Sequence, residues 1–408
     1  MKTSFFCILV LLFRFASGQN NSWFLTGITD TVISITSKDD KIWVATQNAG
    51  IKVFDQTTGE ITSYNKNNLQ VGSNDFRIIR TFNNTIYAGA YYGGLYIFEN
   101  NIWSWLDTSN SPLPGNQVND IAYDSINAIL WIATNKGLTK VQNDSWQIFD
   151  STNSELGAND ITCLLNDKNN TLWIGSRFSG VTKLTDGIFT NYNYDNSGLN
   201  SNLIRTIISD EEGILYIADF LGVEKYDPVS DVWLFVYNTV TSELTHNSVN
   251  RMAIDPDGNI WFATHDGITK TNPSGDWEQF YTSNSNLPHS TADGLFIDEA
   301  GNVWAGTFGG MAVLNVNGFN VPEYDNSIFL FPNPAQNFIA IKLKTGLQQA
   351  TQITIYDSFG REIIRSIPYD SYFGEVDYNL NISALLKGVY FVKFQYENES
   401  IVKPFIKI

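Results

Sequence analysis

The feature that most constrains this chain is a short segment that recurs seven times at a nearly constant spacing. The pattern is apolar, aromatic, any residue, small, polar, with alanine at the last position of the second copy, and successive aromatic residues are 44, 44, 42, 43, 45 and 43 positions apart. The copies are IWVAT (42–46), IYAGA (86–90), LWIAT (130–134), LWIGS (172–176), LYIAD (215–219), IWFAT (260–264) and VWAGT (303–307). Such a period indicates an array of similar structural units.

Each repeat contains four short candidate strands. In the sixth copy an apolar run at 249–254 leads to a turn at 255–259, whose Gly and Asn residues tolerate the positive φ of a tight hairpin. The aromatic strand follows, then a strand at 267–271 and an outer strand at 277–280. Four strands in about 43 residues form one blade of a β-propeller, so the sequence predicts an all-β fold with a seven-bladed β-propeller.

The ends of the array predict how the ring closes. The seventh repeat runs to 313–316 and lacks an aromatic outer strand, whereas an orphan segment with that pattern, NSWFL, occupies residues 21–25. We therefore expect the N-terminal strand to complete the last blade, which removes an exposed sheet edge. Before it, Lys2, an apolar run and the small residues 16–18 resemble a secretory signal peptide.

The pattern changes near residue 318. Residues 320–327 are typical of a linker, and beyond them short strands of alternating polarity predict a small β-sandwich with an immunoglobulin-like fold. The predicted domains are a signal peptide (1–18), a seven-bladed propeller (19–319), a linker (320–327) and a C-terminal domain (328–408).

Two resemblances to known families extend these expectations. DPDGNIWFATHDG (255–267) and DEAGNVWAGTFGG (298–310) resemble the two-component regulator propeller repeat, which implies the fold over roughly residues 20–318 and little about function. Residues 328–408 resemble the type A C-terminal sorting domain of type IX secretion in Bacteroidota. The residues that carry this second resemblance are Pro332, Asn333, Pro334, Gly388, Tyr390, Lys403 and Lys407.

The sorting-domain resemblance implies a secreted or cell-surface protein. It implies the type IX secretion machinery as a partner and surface lipopolysaccharide as an anchor in some members. No run of 18 consecutive apolar residues follows the signal, so we expect no membrane span. The chain carries a formal charge of −17, and residues 19–327 carry −20, so we expect neither nucleic acid nor anionic lipid as a partner.

Loops at one end of the ring form the candidate ligand face, and the arginines of the propeller fall there or in the first strands. Arginine matches carboxylates and sulfates through a planar fork of N–H donors. We therefore predict a partly basic central pocket within an acidic body, suited to an anionic sugar or a peptide carboxylate. The candidate ligand-binding residues are Arg77, Tyr92, Asn119, Arg177, Arg205, Asn250, Arg251, His265 and Asp293.

An alternative interpretation gives the arginines a structural role. They would pair with neighbouring acidic residues and merely line the channel, and the sequence favours this pairing by a small margin. The acidic residues concerned are Asp120, Asp160, Asp219 and Asp293.

His265 and Asp266 are adjacent in a chain with three histidines. An acid–base pair requires a partner within hydrogen-bond reach and a tuned pKa, and adjacent residues at a hairpin tip often point apart. His246 and His289 do not complete a metal-binding spacing, and the turn 255–259 lacks the later glutamate of a calcium loop. We expect no metal and no cofactor, and the catalytic residues remain unassigned.

Three functions remain open. The first is a non-catalytic surface module that binds glycan or protein, and the absence of a phosphate loop, serine elbow or zinc signature favours it. The second is an extracellular lyase or hydrolase of anionic polysaccharide, in which a lyase would use His265 or Tyr92 as its base. The third is a soluble sensor subunit for a separate kinase, which export to the surface disfavours.

Overall fold

The computed structural model describes residues 23–67, 72–314, 328–331, 335–343, 352–357, 361–366, 378–395 and 400–407. The chain divides into two compact units, Met1–Pro322 and Glu323–Ile408. Every helix or strand within the described ranges is a β-strand, which confirms the all-β class. No helix of a length and hydropathy that could cross a membrane occurs in these ranges. The predicted domain boundaries stay predictions, because the signal peptide and the linker lie outside the described residues.

The described residues of the first unit form seven four-stranded antiparallel sheets, here called blades 1 to 7. Strand β1 (Phe24–Leu25) belongs to blade 7. Blade 1 contains β2 (Val32–Lys38), β3 (Lys41–Thr46), β4 (Ile51–Asp55) and β5 (Ile61–Tyr64). Blade 2 contains β6 (Phe76–Phe82), β7 (Thr85–Ala90), β8 (Leu95–Glu99) and β9 (Ile102–Leu106). Blade 3 contains β10 (Val118–Asp124), β11 (Ile129–Thr134), β12 (Gly137–Gln142) and β13 (Ser145–Phe149).

The remaining blades follow the same order. Blade 4 contains β14 (Ile161–Asn166), β15 (Leu172–Ser176), β16 (Val181–Thr185) and β17 (Ile188–Tyr192). Blade 5 contains β18 (Thr206–Ser209), β19 (Leu215–Ala218), β20 (Val223–Asp227) and β21 (Val232–Tyr237). Blade 6 contains β22 (Val249–Ile254), β23 (Ile260–Thr264), β24 (Gly267–Thr271) and β25 (Trp277–Phe280). Blade 7 contains β26 (Ala292–Ile297), β27 (Val303–Thr307), β28 (Gly310–Leu314) and β1.

The seven sheets form a closed ring. The first strand of each blade contacts the first strand of the next, and that of blade 7 contacts that of blade 1. Strand β1 pairs with β28, with Phe24 opposite Val313, so the N-terminal strand completes the last blade as predicted. Trp23 anchors it, because this buried ring meets Phe280 of blade 6 edge-on at 5.7 Å.

The repeated aromatic residues form the cores between blades. Trp261 of blade 6 lies in a buried cluster with Val303 of blade 7. Trp304 of blade 7 lies in another cluster with Phe54 of blade 1. A residue type that recurs once per repeat therefore fills the same gap between neighbouring sheets, and burial of such a large ring strongly stabilises each contact.

One aspartate organises the turn between the first and second strands of several blades. In blade 6, Asp255 Oδ1 accepts the main-chain N–H groups of Asp257 (3.1 Å) and Asn259 (2.9 Å). Its Oδ2 accepts from the Asn259 side chain (2.8 Å) and from Trp261 Nε1 (2.9 Å). Asp167 and Asp298 bind their tryptophans in the same way, so both oxygens of these carboxylates are used within the turn. We call this end of the ring the turn end and the opposite end the funnel end.

The second unit contains two antiparallel sheets. The first comprises β29 (Ile328–Phe331), β30 (Phe338–Leu343) and β33 (Tyr378–Asn381). The second comprises β31 (Gln352–Asp357), β32 (Glu362–Ser366), β34 (Gly388–Gln395) and β35 (Ser400–Lys407). Both contribute to one buried apolar cluster. Whether this arrangement is immunoglobulin-like stays a prediction.

The residues of the sorting-domain resemblance fall on two strands of this unit. Gly388 of β34 pairs with Lys407 of β35, and Lys403 pairs with Val392. The ring of Tyr390 stacks on Phe405 at 5.5 Å. Pro332, Asn333 and Pro334 lie outside the described residues.

Candidate ligand funnel

A cavity of about 320 Å³ lies at the funnel end and draws residues from all seven blades. Because the first strands contact one another around the ring, a cavity that they all line lies at its centre. Seven of the nine candidate residues line it, and the two that do not are Tyr92 and His265. Asp75, Thr162, Phe220 and Phe308, which we did not propose from the sequence, also line this cavity, hereafter the funnel.

In six of the seven blades a β-bulge places one side chain in the funnel. The pairing of first and second strands skips one residue in six blades, including Arg77 in blade 2 and Asn119 in blade 3. Blade 5 has Arg205 at the same repeat position, immediately before β18. A bulge re-aims its extra residue away from the regular alternation of the strand. The seven funnel residues at this position are Ile33, Arg77, Asn119, Thr162, Arg205, Asn250 and Asp293.

Three polar residues of this ring also join adjacent blades. Asn119 Nδ2 donates to the main-chain oxygen of Ile161 at 2.7 Å. Thr162 Oγ1 and Asn250 Nδ2 donate to the equivalent oxygens of the following blades at 2.6 and 2.8 Å. Sequence reasoning missed this structural role, because the partners are separated by 42 residues in each case.

Two of the five propeller arginines form the ion pairs of the structural interpretation. Arg177 Nε lies 2.7 Å from Asp160 Oδ2. Arg80, which belongs to the channel and not to the funnel lining, lies 3.2 Å from Asp120 Oδ1. Asp120 also accepts the main-chain N–H of Leu164 at 3.0 Å, so it links three consecutive blades.

The other three arginines have no carboxylate within 4.0 Å among the described residues. Arg77 lies over the ring of Tyr91 at 4.0 Å. Arg205 lies over Phe220 at 4.6 Å and donates to Ser248 Oγ at 3.0 Å. A guanidinium stacked on a ring keeps its N–H edges free for other acceptors.

Arg251 is the third of these arginines. Its Nη1 donates to the main-chain oxygen of Asn250 at 3.3 Å. Its Nε is buried and meets no acceptor in the described part of the chain. A buried N–H group without an acceptor is costly, so an acidic group that reached this guanidinium would relieve a penalty as well as form an ion pair.

The funnel contains positive and negative side chains that influence one another's pKa. Burial lowers the pKa of Arg205; nearby Asp293 opposes this, whereas Arg251 and Arg177 reinforce it. Burial also raises the pKa of Asp293, against the pull of Arg251 and Arg205. Asp293 Oδ1 accepts from Asn250 Nδ2 at 2.6 Å. Positive charges that repel one another in a partly buried space favour entry of an anion.

Exposed aromatic residues surround the funnel. The loop after the second strand carries Tyr92 in blade 2, Phe178 in blade 4, Phe220 in blade 5 and Phe308 in blade 7, all at least 42% exposed. Four blades out of seven therefore share a chemistry that we did not recognise from the sequence. Such rings are suitable platforms for stacking against sugars or other rings.

His265 and Asp266 lie at the rim and have different neighbours. His265 is close to Arg205, Asp293 and His246, with 5.6 Å between the two imidazoles, whereas Asp266 influences Tyr281. Burial and then Arg205 lower the pKa of His265, which favours its neutral form at neutral pH. No group of three metal-ligating side chains occurs among the described residues.

Comparisons with known proteins agree with this architecture. Residues 329–408 match the secretion system C-terminal sorting domain. Residues 155–178 and 243–266 match the two component regulator propeller. The chain carries regulator-propeller repeats and a secretion sorting domain. The sorting domain indicates secretion and attachment at the outer cell surface, and it implies interaction with the type IX secretion machinery.

Several solved structures share the fold at low sequence identity. One is the extracellular domain of a hybrid two component system from B. thetaiotaomicron, with 18% identity, a TM-score of 0.63 and coverage of 93% of this chain and 55% of that one. Another is PorZ, a surface component of the type IX secretion system of Porphyromonas gingivalis, with 16% identity, a TM-score of 0.56 and coverage of 93% and 59%. The chain thus spans little more than half of either relative.

An enzyme is also among the structural relatives. Streptogramin B lyase matches with 15% identity, a TM-score of 0.58 and coverage of 72% of this chain and 97% of that one. Among curated protein sequences there is no significant match. At these identities the comparisons establish a shared fold and leave function to the residues of the funnel.

Proposed function

We propose that this protein is a non-catalytic binding module of the outer cell surface that holds an acidic group of a glycan or protein ligand in the funnel. The observation that carries the proposal is the set of three arginines, Arg77, Arg205 and Arg251, that have no carboxylate partner within 4.0 Å among the described residues. They are positive charges at the centre of a body whose formal charge is −20. Such a focused field attracts an anion that the rest of the surface repels.

The size and shape of the funnel support recognition of one chemical group. Its volume of about 320 Å³ lies near the lower end of small-molecule pockets. Arginine forks at its base and exposed rings at its rim can bind a carboxylate or sulfate and stack on the neighbouring part of the ligand. The rest of a large ligand would extend over the rim.

The surroundings of the candidate bases favour binding over catalysis. Tyr92 is 75% exposed, and His265 is also exposed, and its imidazole makes no hydrogen bond to a carboxylate among the described residues. A general base of a lyase requires an orienting partner and a protected site. The alternative of an anionic-polysaccharide lyase remains the second candidate, because His265 lies near Arg205 and Asp293.

Titration of the full chain tests the proposal. The probes are oligogalacturonate, a sulfated glycan, and one peptide with either a free or an amidated C-terminus. The test variants are Arg205→Gln and Arg251→Gln. The control variant is Lys168→Gln, which removes the same charge at the turn end, far from the funnel. Because a hydrogen bond to a charged group contributes about 1.5–3 kcal/mol, we expect each funnel variant to bind an acidic probe roughly tenfold or more weakly.

The control variant should bind like the unmodified protein. Equal binding by all three variants would show that the arginines are structural. Formation of an unsaturated sugar product that His265→Ala abolishes would make the protein a lyase. Loss of affinity on amidation of the peptide would identify a protein C-terminus as the ligand.

A further inference from the structure

Blade 5 contains two buried acidic side chains that no cation neutralises within the described residues. Asp219 is 0% exposed and Glu224 is 1% exposed. One oxygen of each carboxyl group, Asp219 Oδ2 and Glu224 Oε2, is buried and has no hydrogen-bond partner in the part of the chain that the structure describes. Glu224 lies opposite Ile217, and Asp219 follows Ile217 by two positions, so both side chains are on the same face of paired strands.

Blades 3, 4 and 6 have hydroxyl residues at both of these positions. In blade 6 they are Thr264 and Thr269, whose hydroxyl groups both contact Thr245 Oγ1, at 2.9 and 3.0 Å. Thr264 also donates to the main-chain oxygen of Gly267 at 2.9 Å. A hydroxyl both donates and accepts, whereas a charged carboxylate only accepts. Blade 5 therefore regains a donor only when one of its two carboxyl groups is protonated.

The groups that face the pair are neutral. Asp219 Oδ1 accepts the main-chain N–H groups of Leu221 (2.5 Å) and Gly222 (3.0 Å). Glu224 Oε1 accepts the main-chain and side-chain N–H groups of Asn200, at 3.2 and 2.8 Å. Among the described residues, the negative charge of Asp219 acts on the carboxyl group of Glu224.

These contacts connect the pair to the funnel. Asp219 holds the loop that carries Phe220, and Phe220 lies under the guanidinium of Arg205. Glu224 holds Asn200, in the segment that leads to Leu203 and Arg205 of the funnel lining. Both funnel segments of blade 5 are thus fastened to one pair of buried acids.

We propose that Asp219 and Glu224 bind a shared proton that keeps the funnel segments of blade 5 closed, and that loss of this proton loosens them. Two negative charges in one buried space repel each other, and burial disfavours each of them. Consistent with this geometry, burial raises the pKa of Asp219 to about 6, and burial together with Asp219 raises that of Glu224 to about 7. The consequence for ligand affinity rests on the proposed function, whereas the loosening itself does not.

The test compares the full chain with the double variant Asp219→Thr/Glu224→Thr, which introduces the residues of blade 6. Infrared difference spectra report protonated carboxyl groups, and hydrogen exchange reports opening of residues 198–205 and 219–224 at pH 6 and pH 8.5. After correction for intrinsic exchange, we expect these segments to exchange about tenfold faster at the higher pH, which corresponds to one pKa unit. The double variant should show neither this acceleration nor the carboxylic acid band.

Three other results would overturn the proposal. One is the same pH dependence of exchange in the double variant, since the pair would then not be its cause. Another is protection at pH 8.5 that appears on addition of calcium and disappears with a chelator, which would make the pair a cation site. The third is an infrared spectrum at pH 6 that shows no protonated carboxyl group in the unmodified protein. The spectra of the variants Asp219→Asn and Glu224→Gln would also show none. Oligogalacturonate binding, measured separately at both pH values, shows whether loosening of these segments changes ligand affinity. The exchange test does not depend on binding, so it remains valid if the protein binds no probe.

Discussion

The two ends of the blades use the same repeat in opposite ways. At the turn end, Asp167, Asp255 and Asp298 make the same hydrogen bond to a tryptophan six residues later, at 2.9 Å in each case. At the funnel end, one bulge position holds isoleucine, arginine, asparagine, threonine or aspartate, according to the blade. Identical residues maintain the turn in blades 4, 6 and 7, whereas different residues at the funnel end surround one cavity. The side chains that distinguish one blade from another are therefore at the funnel end.

The largest effect should come from the turn end. Asp298→Ala removes the acceptor for the N–H groups of Ala300, Asn302 and buried Trp304. Since each unsatisfied buried donor costs about 1–3 kcal/mol, we expect the free energy of unfolding to fall by roughly 3–5 kcal/mol. Urea unfolding followed by tryptophan fluorescence measures this. Asp257→Ala, at an exposed position of a sister turn, should change it by less than about 0.5 kcal/mol. Similar losses in both variants would contradict the role of the tryptophan contact.

In blade 5, near the funnel end, the negative charges of Asp219 and Glu224 reduce the stability of the folded protein. The raised pKa values of Asp219 and Glu224 mean that the folded state keeps protons that the unfolded chain has released. The free energy of unfolding should therefore fall as the pH rises from about 4 to about 7, and stay constant above that. At about 1.4 kcal/mol per pKa unit, the loss should be a few kcal/mol.

The variant Asp219→Thr/Glu224→Thr should remove most of this slope. We expect it to be more stable than the unmodified protein at pH 8 and to lose that advantage towards pH 4, by urea unfolding at each pH. A slope unchanged by the substitutions would assign the pH dependence to other groups.

A smaller effect on stability tests whether Thr162, at the bulge position of blade 4, serves the fold or the ligand. Thr162→Ala removes the hydrogen bond to the main-chain oxygen of Ile204, and should cost about 1 kcal/mol of unfolding free energy. Thr162→Ser keeps the hydroxyl and should recover most of that loss. If Thr162→Ala is neutral in stability yet weakens binding of an acidic probe, the hydroxyl serves the ligand and not the ring.

The smallest stability effect should be at the rim. Tyr92 is 75% exposed at the funnel end, and Ile126 is 76% exposed in a turn at the other end, so the two form a matched pair. Replacing either with alanine should change the free energy of unfolding by less than about 0.5 kcal/mol. Only Tyr92→Ala should weaken binding of oligogalacturonate, by about threefold to tenfold for a lost stacking contact. Equal affinity of the two variants would remove the rim from the site.

Much of the candidate site could be predicted from the sequence because the repeat shows which positions are equivalent. Arg77 and Arg205 occupy the same position of the repeat, and seven of the nine residues proposed from the sequence line one cavity. The aromatic rim was not recognised, because the equivalent loops of blades 1, 3 and 6 hold polar residues and the position therefore shows no uniform chemistry. The acidic pair of blade 5 could not be recognised either. Asp219 occupies the last position of the repeated segment, where a polar residue is usual, and the sequence does not show that it is buried.

The sequence alone determined the all-β class, the spacing of the repeats and the strand that closes the ring. These depend on local alternation, on turn residues, and on aromatic residues that recur at a fixed interval, so neighbouring positions carry the information. Only the tertiary structure decided which arginines have partners. Arg177 reaches Asp160 on its own blade, and Arg80 reaches Asp120 on the next, while Arg77, Arg205 and Arg251 meet rings, a hydroxyl and main-chain atoms. The difference is set by bulges and by the packing of neighbouring blades, which brings together residues 40 and 43 positions apart in the Arg80–Asp120 and Arg205–Ser248 contacts.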